Sequence, residues 1–161
     1  MSIRVFFGNL ETGEDMQAQY APTELKESYG ASYERLKVPG LSHTIMQFIN
    51  GENASVDAEF DFNQLVNPAV TVADQRKFML SLLVPRRGAS SVATGSPPRV
   101  LFFWPGLFSM TCRITKIEIT HSWFDPDGSP AVYRMKPAFE EARVTRLYSE
   151  DVRASGTVRG A

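Results

Sequence analysis

The sequence predicts a mainly β, β-rich α+β domain, an antiparallel sheet with one flanking helix. Three observations carry that expectation. Ala54, Val56, Ala58, Phe60 and Phe62 alternate with Ser55, Asp57, Glu59 and Asp61, the period-2 pattern of a strand with one packed face. Residues 99–143 hold three further runs rich in Val, Ile, Phe and Trp, broken by Pro- and Gly-containing turns. One segment alone, with Val72, Gln75, Phe78, Met79, Leu82 and Leu83, follows helical spacing. The 161 residues suffice for one domain with a sizeable core and are short for two.

In chain order, residues 3–10 read as a first strand, and residues 11–15 as a turn cluster. Residues 16–20 return as a second strand with Met16, Ala18 and Tyr20 on one face, ended by Pro22. Residues 23–43 lack a period. Tyr29, Tyr33, Leu36 and Val38 are scattered among charges, with Gly30, Pro39 and Gly40 as breakers. A connection of that length is either a surface loop or an arm that orders against a neighbouring subunit. Residues 44–49 form a strand, and Asn50-Gly51-Glu52-Asn53 is a hairpin turn into the alternating strand at 54–62.

Thr71 is placed to cap the helix, with Asp74 three residues on. Pro85 stops it. Residues 86–98 form a Gly/Ala/Ser connector. Residues 100–104 read as a strand covered on both faces, because alternation is missing. Residues 110–124 form a long strand in which Met110, Cys112 and Ile114 share one parity and Ile117 and Ile119 the other. That slip near Thr115 and Lys116 demands a β-bulge or a change of sheet. Asp125-Pro126-Asp127-Gly128 turns the chain into a last strand at 131–143, where Pro137 marks an edge or a bulge because it cannot donate to a ladder. The domain spans residues 1–148, and residues 149–161 read as a flexible tail.

Charge is balanced in sum and unequal in distribution. The net charge is −1, yet residues 1–75 hold 4 Lys/Arg against 11 Asp/Glu, and residues 76–161 hold 13 against 7. Copies whose halves occupy opposite faces would stack head to tail; chance asymmetry of a solvated surface is the other reading. The N-terminal apolar run is too short for a signal peptide, and no run reaches the ~18 apolar residues a membrane helix needs. Cys112 is the one cysteine, which excludes an intrachain disulfide.

Catalytic constellations are absent from the pattern. His43 and His121 lie far apart, and neither has metal-ligand spacing to Cys112 or to a carboxylate cluster. Cys112, on an apolar strand face, reads as a small buried hydrophobe and not as a nucleophile. Asp125 to Gly128 superficially resembles a calcium loop but lacks the third acidic ligand and the distal Glu. Glu140 and Glu141 point to opposite faces of a strand. Trp104 and Trp123 allow a carbohydrate-stacking platform, although a core position is the commoner fate. The expectation is therefore no enzyme, no metal and no cofactor. A hydrolase using His121 or Asp127 is the weakest alternative. The rival from a different class is a small carbohydrate- or protein-binding β-sandwich.

Several signals in order resemble the tube-like domain of contractile injection systems and contractile phage baseplates, found in hub-adaptor proteins that often carry a LysM module. They are Tyr20-Ala21-Pro22-Thr23-Glu24, then Phe48-Ile49-Asn50-Gly51 before the alternating strand, then Pro97-Pro98-Arg99-Val100-Leu101-Phe102-Phe103-Trp104, and Phe124-Asp125-Pro126-Asp127-Gly128-Ser129-Pro130 followed by Phe139-Glu140. The resemblance covers residues 3–145. Ala21 stands where the family has Asn, and Pro105 separates Trp104 from Gly106. No LysM module follows, so peptidoglycan binding is not carried over.

The resemblance implies a tail-tube-like antiparallel β-sandwich or split barrel, its hairpins joining a shared barrel in a six-fold ring. It implies a structural component linking the inner tube to the hub or spike, with a tail-tube or tube-initiator subunit as the alternative. The hairpins of residues 44–62 and 99–143 would supply lumen strands. Asp57, Glu59, Asp61, Arg113, Arg134 and Lys136 become candidates for the lumen wall or for pairing between protomers. Tyr29, Tyr33 and Leu36 become candidates for an arm reaching a neighbour. Implied partners are further copies of the chain, tube, hub, spike and baseplate proteins, and DNA or protein cargo that passes without specific binding; a membrane is not among them. The implied location is a phage virion tail or an injection particle, assembled in the bacterial cytoplasm.

Overall fold

In the computed structural model, residues 5–22, 24–66, 71–85 and 95–142 are described. Ten strands and one helix run in the order β1 (Phe6–Asn9), β2 (Asp15–Gln17), β3 (Leu25–Ser28), β4 (Ala31–Leu36), β5 (Ile45–Gly51), β6 (Ser55–Ala58), β7 (Phe60–Asn63), α1 (Val72–Ser81), β8 (Val100–Trp104), β9 (Phe108–Phe124) and β10 (Pro130–Glu141). The β-rich, antiparallel expectation with a single helix holds among the described residues. The calls on the N-terminal four residues, the connector at 86–94 and the tail at 149–161 lie outside them.

The main sheet has the order β2-β1-β8-β9-β10-β6-β3, with β7 also on β10. Its two end strands, β2 and β3, are consecutive in sequence, and the sheet between them curls. The rings of the first strand prove the curl. Phe7 of β1 stacks on Phe102 of neighbouring β8 (centroids 5.1 Å apart) and also reaches across to Phe60 of β7 at 4.9 Å and Phe139 of β10 at 5.6 Å. Val56, Phe62, Val100, Cys112, Ile114, Tyr133 and Met135 complete the same buried cluster. The period-2 pattern read in the sequence is thus the pattern of one curled wall, apolar inside.

The seam between β2 and β7 is closed by a side chain. Gln19 Nε2 donates to the Asn63 carbonyl at 2.9 Å, and Gln19 Oε1 accepts from the Asn63 N–H at 2.7 Å. One carboxamide thereby does what a neighbouring peptide group would do in a ladder. Pro22, lacking an N–H, stands where the chain passes on towards β3. At the β1–β2 turn, Asn9 Oδ1 accepts from the N–H groups of Glu11 and Thr12, and Gly13 takes a φ of 77°.

The helix plugs the interior. Val72, Met79 and Leu82 are buried in the main cluster, with Phe78 and Leu83 packed against it. Gln75, the polar gap in the helical stripe, accepts a 3.1 Å hydrogen bond from the Tyr133 hydroxyl. A buried phenol needs such a partner, so the gap in the apolar stripe is a requirement of the core. Thr71 differs from expectation. It occupies the N-cap in an extended conformation, but its side chain makes no capping hydrogen bond.

Several strands differ from the sequence reading. The stretch expected to be irregular at 23–43 contains β3 and β4. Asn50-Gly51 is not a hairpin turn, because β5 runs through Gly51 and pairs with β4. The alternating strand at 54–62 is two strands. Val132 to Met135 pair with Asn63 to Phe60, and Ala138 to Glu140 with Asp57 to Ser55, in one register. The gap falls at Pro137, which has no N–H to donate. β8 is buried on one face and half-buried on the other, not sealed on both. Tyr20 lies outside β2 and is exposed.

The parity slip in β9 is where the sequence placed it. Ala138 pairs with Lys116 and Phe139 with Ile114, leaving Thr115 as the bulged residue. Its hydroxyl donates to the Ala138 carbonyl at 3.3 Å. The Asp125–Gly128 turn is a plain hairpin turn. Gly128 takes a φ of 84°, and Asp127 Oδ1 accepts from Ser129 N–H (2.9 Å) and Oγ–H (2.6 Å). Those two bonds stabilise the carboxylate and lower the Asp127 pKa.

Candidate assembly interface

Two β-ribbons dominate the surface. The first is β9–β10, whose inner face carries Tyr133, Met135 and Ile119 into the core. On its outer face and on β7 beside it, four of the six charged candidates meet in ion pairs. Arg134 Nε shares its N–H between Glu59 Oε1 (2.7 Å) and Asp61 Oδ1 (2.8 Å), and Lys136 Nζ reaches Glu59 Oε2 at 2.8 Å. Asp61 first and Glu59 second raise the Arg134 pKa further. Asp57 continues the acidic row one residue pair along, opposite Ala138. Lys116 and Glu118 extend the strip across β9 with a 2.5 Å ion pair. Arg113 lies on the same face, opposite Glu140 towards the other end of β10, with no ion pair to the strip.

Of the three carboxylates in the row, Glu59 and Asp61 are therefore paired by cations of the neighbouring strand. Exposed pairs of this kind contribute little stability one by one. Their effect is to hold long side chains in a flat, hydrated, nearly neutral strip, which leaves no concentrated charge to grip a polyanion.

The second ribbon is β4–β5, a sheet of its own. It continues the β3–β6 pair, since Leu25 to Ser28 match Ala58 to Ser55 and Ala31 then matches Gly51. The joint is held by the Glu52 N–H donating to the Gly30 carbonyl at 2.9 Å. Beyond the joint nothing described covers it, and every residue of β5 is exposed. Tyr33 pairs with Phe48 edge-on at 5.7 Å. Met46 (56 % exposed), Ile49 (58 %), Ile45 and Leu36 are likewise in water.

Of the three arm candidates, Tyr33 and Leu36 lie on β4. Tyr29 sits at the joint, 72 % exposed, where partial desolvation and the carboxylates of Glu27 and Glu141 raise its pKa. Met46, Phe48 and Ile49 are surface residues that the sequence pattern does not reveal. Val-, Ile- and Phe-rich strands ordinarily signal burial, and only the absence of a clean alternation set this stretch apart.

The remaining chemistry-bearing residues stay separate. Cys112 is buried, donates to the Val100 carbonyl at 3.4 Å, and has its thiol pKa pushed up to about 12 by burial. His121 lies between the rings of Phe124 and Tyr133, and its Nδ1 has no hydrogen-bond partner among the described residues. His43 is exposed in the β4–β5 connection. Among the described residues no group of three or more His, Cys, Asp or Glu is placed to hold a metal ion. Trp104 is half-buried opposite Phe108, while Trp123 is 59 % exposed opposite Val132. At ~3.3 Å per residue the two indoles stand roughly 50 Å apart along β9, so they form no common platform. Among the described residues no helix is long and apolar enough to cross a membrane.

A curled antiparallel barrel with one plugging helix and two long ribbons is the setting for a family match. Residues 6–147 match the family described as contractile injection system tube protein. The chain belongs to that family. The tube family thus accounts for nearly all of the barrel, both ribbons and the helix. Two solved structures are similar at low identity. One is the tail of an empty gene transfer agent particle with C6 symmetry (12 % identity, 91 % of this chain and 96 % of that chain, TM-score 0.49). The other is the virion of a native gene transfer agent particle (13 % identity, 88 % and 92 %, TM-score 0.45). The comparison with curated proteins found no match.

Proposed function

We propose that this chain is a non-catalytic, ring-forming structural subunit of a contractile tail or injection particle, seated where the inner tube meets the hub or spike. The observation that carries the reading is the β4–β5 ribbon: a strand pair with exposed apolar side chains, in a domain of the tube family, that no other described element covers. A two-stranded ribbon is marginal in water alone, and packing against a neighbour removes that cost. The outer strip of Asp57, Glu59, Asp61, Arg134 and Lys136 would line the water-filled side of the shared wall. DNA or protein cargo would pass it without specific binding. Tyr29, Tyr33 and Leu36 would contact the next protomer, and Arg113 would lie at a protomer boundary. The ring would be six-fold, assembled in the bacterial cytoplasm and kept in the particle.

A second reading is a subunit of the tube itself, favoured by the family's own description as a tube protein. Electron microscopy of particles made with and without the chain separates the two. Density lost from a single layer beside the hub supports the adaptor position, and loss of the repeating tube supports the second. Particles that assemble intact without the chain and never contain it would overturn both. Purified particles in which the chain sediments only as a monomer on gentle disassembly would weigh against a ring.

A further inference from the structure

We propose that the groove beneath Tyr20, on the outer wall of the barrel, is a binding site for a neutral sugar, with a pyranose ring seated between the phenol and the strand surface. The proposal does not depend on which way the charged strip faces in an assembly, and it uses neither tryptophan.

The groove lies at the hairpin-tip end of β7, β10 and β9 and holds about 550 Å³, a size suited to a small molecule. Its floor is two rungs of the wall. Thr120, Arg134 and Asp61 lie opposite one another in the first. Val132 and Asn63 form the second, and Ser122 is the residue left over where β9 shifts register beside Val132. Tyr20, just beyond the Gln19 seam to β7, supplies the aromatic wall.

These groups are held in place by the protein itself. The Gln19 carboxamide, already bonded to both backbone groups of Asn63, also donates to the Tyr20 phenol oxygen at 3.4 Å. Arg134 Nε is fixed between Glu59 and Asp61. The Ser122 hydroxyl donates to the Val132 carbonyl at 3.4 Å, which leaves its lone pairs to accept. The Thr120 hydroxyl makes no hydrogen bond among the described residues. An aromatic ring, two hydroxyls and a carboxylate–guanidinium pair therefore converge on one hollow. Groups fixed beforehand lose little freedom when a ligand arrives.

Charge decides the class of ligand. Arg134 is shared by two carboxylates, so an anion would have to displace Glu59 or Asp61 to reach its Nε. A cation would have to displace Arg134 from Asp61. Lys136 on Glu59 completes the balance. A neutral polyhydroxy ring disturbs neither pair. Its hydroxyls both donate and accept, which suits a floor that offers both functions. Its C–H face packs on the phenol, which is 43 % exposed in the free chain and gains from being covered. A wholly apolar ligand would strip water from Thr120, Ser122 and Asp61 and return nothing to them.

The test is amide NMR on the isotope-labelled full chain, titrated with methyl α-glucoside, methyl α-galactoside and N-acetylglucosamine, with inorganic phosphate as the anionic probe. At least one sugar should give saturable shifts, in the millimolar range, confined to the amides around Tyr20, Asn63, Thr120 and Val132. Tyr20→Ala should weaken that binding about tenfold or more, and Thr120→Val several-fold. Tyr20→Phe keeps the ring and should bind nearly as the parent does. Tyr20 and Thr120 are exposed, and the remaining amides report that each variant is folded. Shifts that fail to saturate with every sugar, or that survive Tyr20→Ala unchanged, overturn the proposal. Saturation by phosphate and by no sugar would make the groove an anion site and overturn it too. None of these outcomes touches the assembly reading, which is judged in particles.

Discussion

The β9–β10 and β4–β5 ribbons are built alike and live in opposite surroundings. Each is an antiparallel pair with a bulge and with apolar side chains along it. In β9–β10 the apolar side faces Phe7, Phe102 and the helix, and on the polar side Arg134 and Lys136 are paired with Glu59 and Asp61. In β4–β5 the apolar side chains face water. What separates them is not strand chemistry but whether the chain supplies a second layer. A ribbon backed by its own core is a piece of the domain, and one left bare is a piece of something larger.

Matched phenylalanine truncations test that difference most directly. Phe139→Ala in β10 removes a ring stacked at 4.7 Å on Phe102 and should cost about 3–5 kcal/mol in urea unfolding. Phe48→Ala in β5 loses only the edge contact with Tyr33 and should cost less than about 1 kcal/mol in the free chain. It should impair entry into particles all the same. Equal costs would mean that β4–β5 packs on something within the chain.

Smaller effects sharpen the picture of the sealed half. Gln19→Ala leaves the Asn63 N–H and carbonyl without their partner and should cost about 1–3 kcal/mol, with faster exchange of the Asn63 amide. Tyr133→Phe should cost about 1 kcal/mol, the worth of its bond to Gln75. Cys112, with its thiol pKa pushed up to about 12, should resist thiol reagents at neutral pH until the chain is unfolded; fast labelling of native protein would show that the β8–β9 wall opens. Acid gives the smallest effect. Asp127 has a lowered pKa, so its support of the turn is complete above the unfolded value and fades as pH falls through the folded one. A carboxyl NMR titration with an ordinary aspartate midpoint would remove that claim.

The sequence was legible wherever one face of an element is buried in the chain itself. The alternation at 54–62, the helical stripe and the parity slip at Thr115 each report on a local inside and outside. Tyr133 and Gln75 show a subtler case, because a polar gap in a stripe becomes readable only once its partner is known. Residues 31–36 were not legible as a strand, and 44–49, legible as one, did not show that both its faces are exposed. Their pattern answers to a surface beyond the chain, so apolar side chains appear without the burial that usually accompanies them. The charged strip was half legible. Its residues were found from strand parity, but its neutrality depends on β10 lying beside β7, which spacing does not reveal. Arg113 was assigned by the same parity, and the register puts it on that face opposite Glu140, beyond the ion pairs.

Pro137 carries a mechanical consequence. Because it breaks the rungs between β10 and its neighbour into two short runs, a peel begun at the Ser55 end loses its first run and must start again at Phe60. A wall built this way tears in steps. A stepwise tear leaves time for the first run to close before the second gives way.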